Sequence, residues 1–145
     1  MRILYINSVP NGSTGKICRD LYDLAIENGF DCCIAYGRGN IDSKYNSIRI
    51  GNNFDVYQHV LKTRVFDRHG LESKKATKSF LKEVSIFNPD IIHLHNIHGY
   101  YINIPLLFEY FKENPDIKII WTLHDCWSFT GHCAYFTYSG CEKWQ

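Results

Sequence analysis

Apolar runs of four to six residues alternate along this chain with longer stretches whose apolar residues recur every three or four positions. Residues 2–6, RILYI, are bounded by Asn7 and Pro10 and predict a buried strand. Ile17, Leu21, Leu24 and Ala25 then predict a helix, with Ser13 or Thr14 placed to cap it and Gly29 to close it. DCCIAY, residues 31–36, predicts a second strand running into the turn GRGN, and residues 47–50 a shorter third. Val56, Tyr57, Val60, Leu61 and Val65 predict a second helix. A third carries Ala76, Phe80, Leu81, Val84 and Phe87 on one face, with Ser73 as its cap and Asn88-Pro89 as its end. The strand IIHLH, a helix through LLFEYFKE that ends at Asn114-Pro115, and the strand KIIWTL complete the pattern.

Continuous apolar strands between amphipathic helices predict a parallel sheet covered on both faces. The expected fold class is α/β, a Rossmann-like, doubly wound sheet. One domain extends to about residue 125, and the last twenty residues read as a loop-like extension. The chain stops inside a segment dense in aromatics and cysteines, GCEKWQ, which reads as a fragment of something longer.

Composition narrows the class. Apolar residues make up 45% of the 145 positions, which is globular, and the net charge of +1 argues against a general nucleic-acid binder. No apolar run approaches the roughly 18–20 residues of a membrane span, and no secretory signal opens the sequence, so the expected location is cytoplasmic. Free thiols are then the default for the six cysteines. Cys32 and Cys33 read as small buried hydrophobes. Cys126, Cys133 and Cys141, separated by six and seven residues, read as reduced thiols in an aromatic loop, with a structural zinc site as the weaker alternative.

The turn NGSTGKI (11–17) invites comparison with a phosphate-binding P-loop. Pro10 stands where that motif needs its first glycine, and Ile17 where it needs a metal-binding hydroxyl. The dinucleotide fingerprint fails as well, because Tyr36 and Gly37 occupy the place of its acidic residue. What remains is a strand–turn–helix, either a plain βα turn of the kind every doubly wound fold has or one whose small residues let a ligand approach the backbone.

Polar groups concentrate where the strands end. Asn7, Ser8 and the GSTG turn follow the first strand, His95, Asn96 and His98 the fourth, and His124 and Asp125 the fifth. Tyr100, Tyr101 and Trp127 lie beside them. Imidazole, amide and carboxylate groups beside aromatic rings suit a sugar, whose hydroxyls need directional partners and whose C–H faces stack on rings. A metal site built from His93, His95 and His98 competes, but alternation along the strand makes His93 an interior histidine instead. Residues 62–82 hold Lys62, Arg64, Arg68, Lys74, Lys75, Lys78 and Lys82 against Asp67 and Glu72. That reads as a solvated helix face, or as a basic surface for anionic headgroups or a phosphorylated acceptor.

The ordered set NSVPNGSTGKI, AYGRG, RVFDRHG, SKKATK, PDIIHLHNIHGYYINI and WTLHDCWSFTGHCAYF resembles bacterial glycosyltransferases of family 4. The branch that builds colanic acid and capsular polysaccharides is the most similar. The resemblance implies a GT-B enzyme of two Rossmann-like domains, of which residues 1–145 are the N-terminal, acceptor-side one and the donor-binding C-terminal one is missing. No Glu-x7-Glu pair of that second domain is found here. The implied activity is retaining transfer of a sugar, of hexosyltransferase type, from a nucleotide-sugar co-substrate to a glycan or lipid-linked glycan in surface polysaccharide biosynthesis. No cofactor is required, and peripheral contact with the inner membrane surface is a further implied partner.

On the same resemblance, Gly12, Ser13, Thr14 and Gly15 form the loop near the donor phosphates and acceptor. The chain has Gly-Ser where many members have Gly-Gly, and Gly15 where many have Glu. His124 matches the histidine that hydrogen-bonds the donor sugar, and Asp125 beside it is structural or orients that ring. His95, Asn96, His98 and Tyr100 line the acceptor pocket. The domain alone is expected to be inactive. Two other classes stay open: a non-catalytic glycan- or phosphate-binding module, and a metal-dependent hydrolase using the histidines.

Overall fold

The computed structural model describes residues 1–130 together with Ala134, Tyr135, Thr137 and Gly140. The elements are β1 (Arg2–Asn7), α1 (Gly12–Glu27), β2 (Asp31–Tyr36), β3 (Ser47–Arg49), α2 (Asn53–Phe66), α3 (Lys74–Phe87), β4 (Ile91–Leu94), α4 (Ile104–Glu113), β5 (Lys118–Trp121) and the short α5 (Trp127–Thr130). The five strands form one sheet in the order β3-β2-β1-β4-β5, and each pairing is parallel. The chain winds outward from β1 to β3, then crosses back to lay β4 on the other side of β1. The carboxyl ends of β1 and β4 therefore flank the crevice where the winding reverses.

Strand alternation builds two cores. Ile3, Tyr5, Cys32 and Ile34 pack against Cys18, Tyr22 and Ala25 of α1. Leu4, Ile6, Cys33, Ala35, Ile92 and Leu94 pack against Phe80 and Val84 of α3 and Leu107 of α4. Neighbouring cysteines thus serve opposite faces. Burial pushes the Cys32 thiol up to about 11 and that of Cys33 to about 12, so both stay protonated and pack as hydrophobes.

The sequence pattern misplaced some details. The cap position of α1 is Asn11, not Ser13 or Thr14, and no side chain caps that helix. Ser73 holds the cap position of α3 at φ 58°, but its hydroxyl is engaged by His59 instead. The third strand stops at Arg49. Of the apolar residues that announced α2, Val56 packs against the core and Val60 is half-buried, whereas Tyr57, Leu61 and Val65 are exposed; the most buried positions are His59 and Thr63. Helical periodicity shows that a face exists but not which way it turns. At β5 the sheet is open, with Ile119 and Ile120 both exposed.

Candidate functional site

Asn7, at the end of β1, is fully buried and joins three segments. Its side-chain oxygen accepts the Asn96 N–H at 3.1 Å, and its amide donates to the Val9 carbonyl at 2.9 Å and to Thr14 Oγ1 at 3.2 Å. One amide side chain thereby fixes the β1–α1 loop against the loop that follows β4. Such an amide satisfies groups that would otherwise be buried unpaired.

The glycine loop is held open at its tip. Arg19 donates to the Pro10 carbonyl and to Asn11 Oδ1, and Asn11 Nδ2 donates to the Asn40 carbonyl at 2.8 Å. With Asn11 engaged this way, the first-turn N–H groups of α1 have no side-chain cap and no acidic neighbour. Gly12 takes φ 77°, and a side chain at Gly15 would overlap the Pro10 carbonyl group, so the tight entry into α1 needs glycine at both positions. The result is a helix start with donors and partial positive charge facing outward.

The β2 end brings in a residue that sequence reasoning passed over. Ser8 O accepts the N–H groups of Gly37 and Arg38, at 3.2 and 3.0 Å. A side chain on Gly99 would come within 3.2 Å of both Arg38 Nη2 and Ser8 Cβ, so the missing side chain makes room for the guanidinium. Arg38 Nε is buried without a partner. Gly37 is equally constrained, because the buried Tyr101 ring lies where its side chain would be, and Tyr101 donates to the Asn96 carbonyl at 2.9 Å.

Beyond β4 the histidines pair across to the end of β5. His93 Nε2 lies 2.8 Å from Thr122 Oγ1, His95 Nδ1 lies 2.8 Å from His124 Nε2, and His98 Nε2 lies 2.8 Å from Asp125 Oδ2. Trp121 Nε1 donates to the His95 carbonyl at 3.1 Å, and Asp125 Oδ1 accepts the Trp127 N–H at 3.0 Å. The Tyr5, His93 and His95 rings stand on one face of the sheet, as alternation predicts. Burial, reinforced by His93 and His124, lowers the His95 pKa to about 3, so this ring is neutral. Its Nε2 is buried without a partner.

His95, Asn96, His98, His124, Asp125 and Trp127 share a hollow of about 10 Å³, room for a single water. That is far below the ~300 Å³ or more of a ligand pocket. Gly12–Gly15 do not line it but reach it through Asn7. Tyr100 turns away, its ring 4.7 Å from that of His69 and 5.8 Å from that of His59. His69 in turn contacts Trp127, whose Nε1 donates to His69 Nδ1 at 3.4 Å. His59 and His69 escaped the sequence reading because they stand alone in a helix and a loop. Arg38, in the GRGN turn, gave only a turn signal.

Among the described residues, no three His, Cys, Asp or Glu side chains converge in a way that could hold a metal ion. Cys133 and Cys141, two of the three thiols considered for zinc, lie outside the described residues. Cys126 is half-buried, and its N–H donates to the Ala134 carbonyl at 2.9 Å.

No protein-family model matches the chain. It is 26% identical, over 159 aligned positions, to WcaC of Escherichia coli (strain K12), a protein named as a colanic acid biosynthesis glycosyl transferase. The alignment takes in 100% of this chain and 38% of the relative, so the chain spans well under half of that protein's length. The likeness to colanic-acid glycosyltransferases that the sequence motifs carry therefore runs the whole length of the chain.

Proposed function

We propose that this chain is the acceptor-side part of a GT-B glycosyltransferase. It moves a sugar from a nucleotide-sugar, with retention at the anomeric carbon, to a glycan or lipid-linked glycan in surface polysaccharide assembly. The observation that carries the reading is the pairing of His95 with His124 beside the β1–β4 crevice, in a chain similar throughout to a protein named as a colanic acid biosynthesis glycosyl transferase.

The chemistry breaks the bond between the anomeric carbon and the leaving phosphate oxygen and forms one to an acceptor hydroxyl. The hydroxyl proton leaves with the departing phosphate or passes to solvent. Negative charge grows on the leaving diphosphate, and two features here favour it: the uncapped start of α1 and the Arg38 guanidinium. His124 holds the donor sugar. A buried N–H without an acceptor costs more than a lone pair without a donor, so His95 donates from Nδ1 to His124 Nε2. His124 then keeps its proton on Nδ1, as a donor for a sugar oxygen. Asp125 Oδ2 accepts from His98 Nε2 and so orients that ring at the acceptor side. The hollow is too small for a sugar, which fits a cleft completed by a second domain.

The test incubates the intact protein with a panel of nucleotide-sugars and membrane lipid extract, following release of nucleoside diphosphate and the anomeric configuration of the product. Transfer with retention supports the proposal, with no turnover by residues 1–145 alone. An inverted product, or turnover by residues 1–145 alone, contradicts it. Saturable binding of glycan without transfer by the intact protein would establish the non-catalytic binding module instead.

A further inference from the structure

Between α2 and the hollow stand two histidines that the transfer chemistry does not use. His59, on the inner side of α2, is 1% exposed and has a partner at each ring nitrogen. Its Nε2 accepts the Gly70 N–H at 3.2 Å, which leaves the ring proton on Nδ1, 2.8 Å from Ser73 Oγ. Burial lowers its pKa to about 4, so the ring stays neutral and keeps this tautomer.

The loop that His59 grips is bent into conformations that side chains avoid. Gly70 takes φ 74° and Ser73 φ 58°, both in the left-handed region, and the Ser73 side chain makes no capping bond to α3. A serine stays in that region where its surroundings fix it, and here the His59 ring does so. The same loop also meets α4. Gly70 O accepts the Ile104 N–H at 2.8 Å, and a side chain at Gly70 would come within 3.0 Å of Ile104 Cγ1. The loop is thus pinned between α2 and the start of α4.

His69, next to Gly70, carries the loop's position toward the hollow. Its Nδ1 accepts from Trp127 Nε1 at 3.4 Å, and its ring meets the indole edge-on, the centroids 5.4 Å apart. The His59 and His69 rings are 6.4 Å apart, with Tyr100 against both, at 5.8 and 4.7 Å. Trp127 in turn lies 5.4 Å from the His98 ring and lines the hollow. The rings form a column from the interior side of α2 to the wall of the hollow. The indole stands at the start of α5, whose four residues are too few to be stable by their own hydrogen bonds. Asp125 holds the backbone N–H of Trp127, and His69 holds the indole N–H. The first contact places the residue and the second sets which way its ring turns.

We infer that His59 is a positioning residue for Trp127, and that Trp127 is the surface on which the acceptor sugar stacks. The sugar rests on the transfer reading proposed above; the positioning does not. An indole wall beside the His98 and His124 imidazoles offers what a pyranose needs, a ring against its C–H groups and directional partners for its hydroxyls. His59 touches no substrate. It fixes the loop from Gly70 to Ser73, the loop fixes His69, and His69 sets the plane of the indole.

The test has two arms. In the intact protein with nitrogen-15-labelled indoles, His59→Leu is expected to shift the Trp127 Nε1–H resonance, assigned through Trp127→Phe, and to leave that of Trp121 in place. His59→Gln, whose amide oxygen can accept the Gly70 N–H, is expected to return the resonance toward its native position. Ser73→Ala removes the Nδ1–H acceptor and leaves His59 in place; it is expected to shift the same resonance, which keeps the inference testable if His59→Leu fails to fold. In transfer assays with membrane lipid extract as acceptor, His59→Leu and Trp127→Ala are each expected to raise the apparent acceptor KM about tenfold, with kcat and the nucleotide-sugar KM within about twofold of native. A Trp127 resonance unmoved by both His59→Leu and Ser73→Ala overturns the inference, because α4 then holds the loop without the histidine. A shifted resonance with an unchanged acceptor KM overturns it too, since the indole then carries no acceptor. So does a fall in kcat at constant acceptor KM, which a general loss of folded protein would give. If the native protein transfers no sugar, the transfer reading fails by itself and the resonance arm alone decides the positioning.

Discussion

His95 Nδ1 lies 2.8 Å from His124 Nε2, with the two ring planes only 15° apart. The geometry makes one ring a scaffold for the other. His95 is buried to 1% exposure and kept neutral with a pKa near 3, while His124 is half-buried and lines the hollow. A neutral partner that does not titrate in the working range fixes the tautomer and the angle of the His124 ring. Imidazole nitrogen-15 spectra are expected to show His95 with its proton on Nδ1, and no protonation of that ring between pH 8 and about 4. A His95 ring that titrates near 6 would remove it from this role.

Stability carries the same signature. In the unfolded chain an imidazole binds its proton near pH 6.5, whereas folded His59 resists until about 4 and His95 until about 3, both chiefly through burial. Between those limits the unfolded state holds more protons. Stability is therefore full above about pH 6.5, declines as pH falls through the window, and levels off below it. His59 alone accounts for on the order of 3 kcal/mol across the window. Urea denaturation at stepped pH is expected to show this decline, with a slope shallower by up to about one proton in His59→Gln.

Gly37→Ala tests the packing beneath the site. The added methyl group overlaps the ring of Tyr101, a buried side chain whose hydroxyl fixes the Asn96 carbonyl. Overpacking of this kind costs about 1–3 kcal/mol. The substitution is expected to lower the urea midpoint accordingly and to shift the Asn96 amide resonance. A midpoint equal to that of the native protein would show that the loop after β4 yields without cost.

The sheet was legible in the sequence because buried parallel strands are written as unbroken apolar runs, and DCCIAY occupies the six positions it predicted. The polar strand ends were legible for the same reason, since a residue beyond a buried strand can be polar only where the chain leaves the core. His95, His98, His124 and Asp125 accordingly meet at one hollow. Long-range pairing was not legible. Nothing in its neighbours shows that Asn7 reaches 89 residues ahead to the Asn96 N–H, or that the Arg38 guanidinium lies against Gly99. The outward turn of Tyr57, Leu61 and Val65 was hidden because periodicity is blind to rotation when the most buried residues of a helix are a histidine and a threonine, with Val56 the apolar residue that joins them on the core side.

The central claim is that His124 contacts the sugar being transferred, and comparing transfer rates of the intact protein and its His124→Ala variant tests it most directly. Without the ring the donor is no longer held for reaction, and kcat is expected to fall by about 100-fold or more with the folded structure retained. A folded His124→Ala protein that transfers sugar at the native rate would contradict the account.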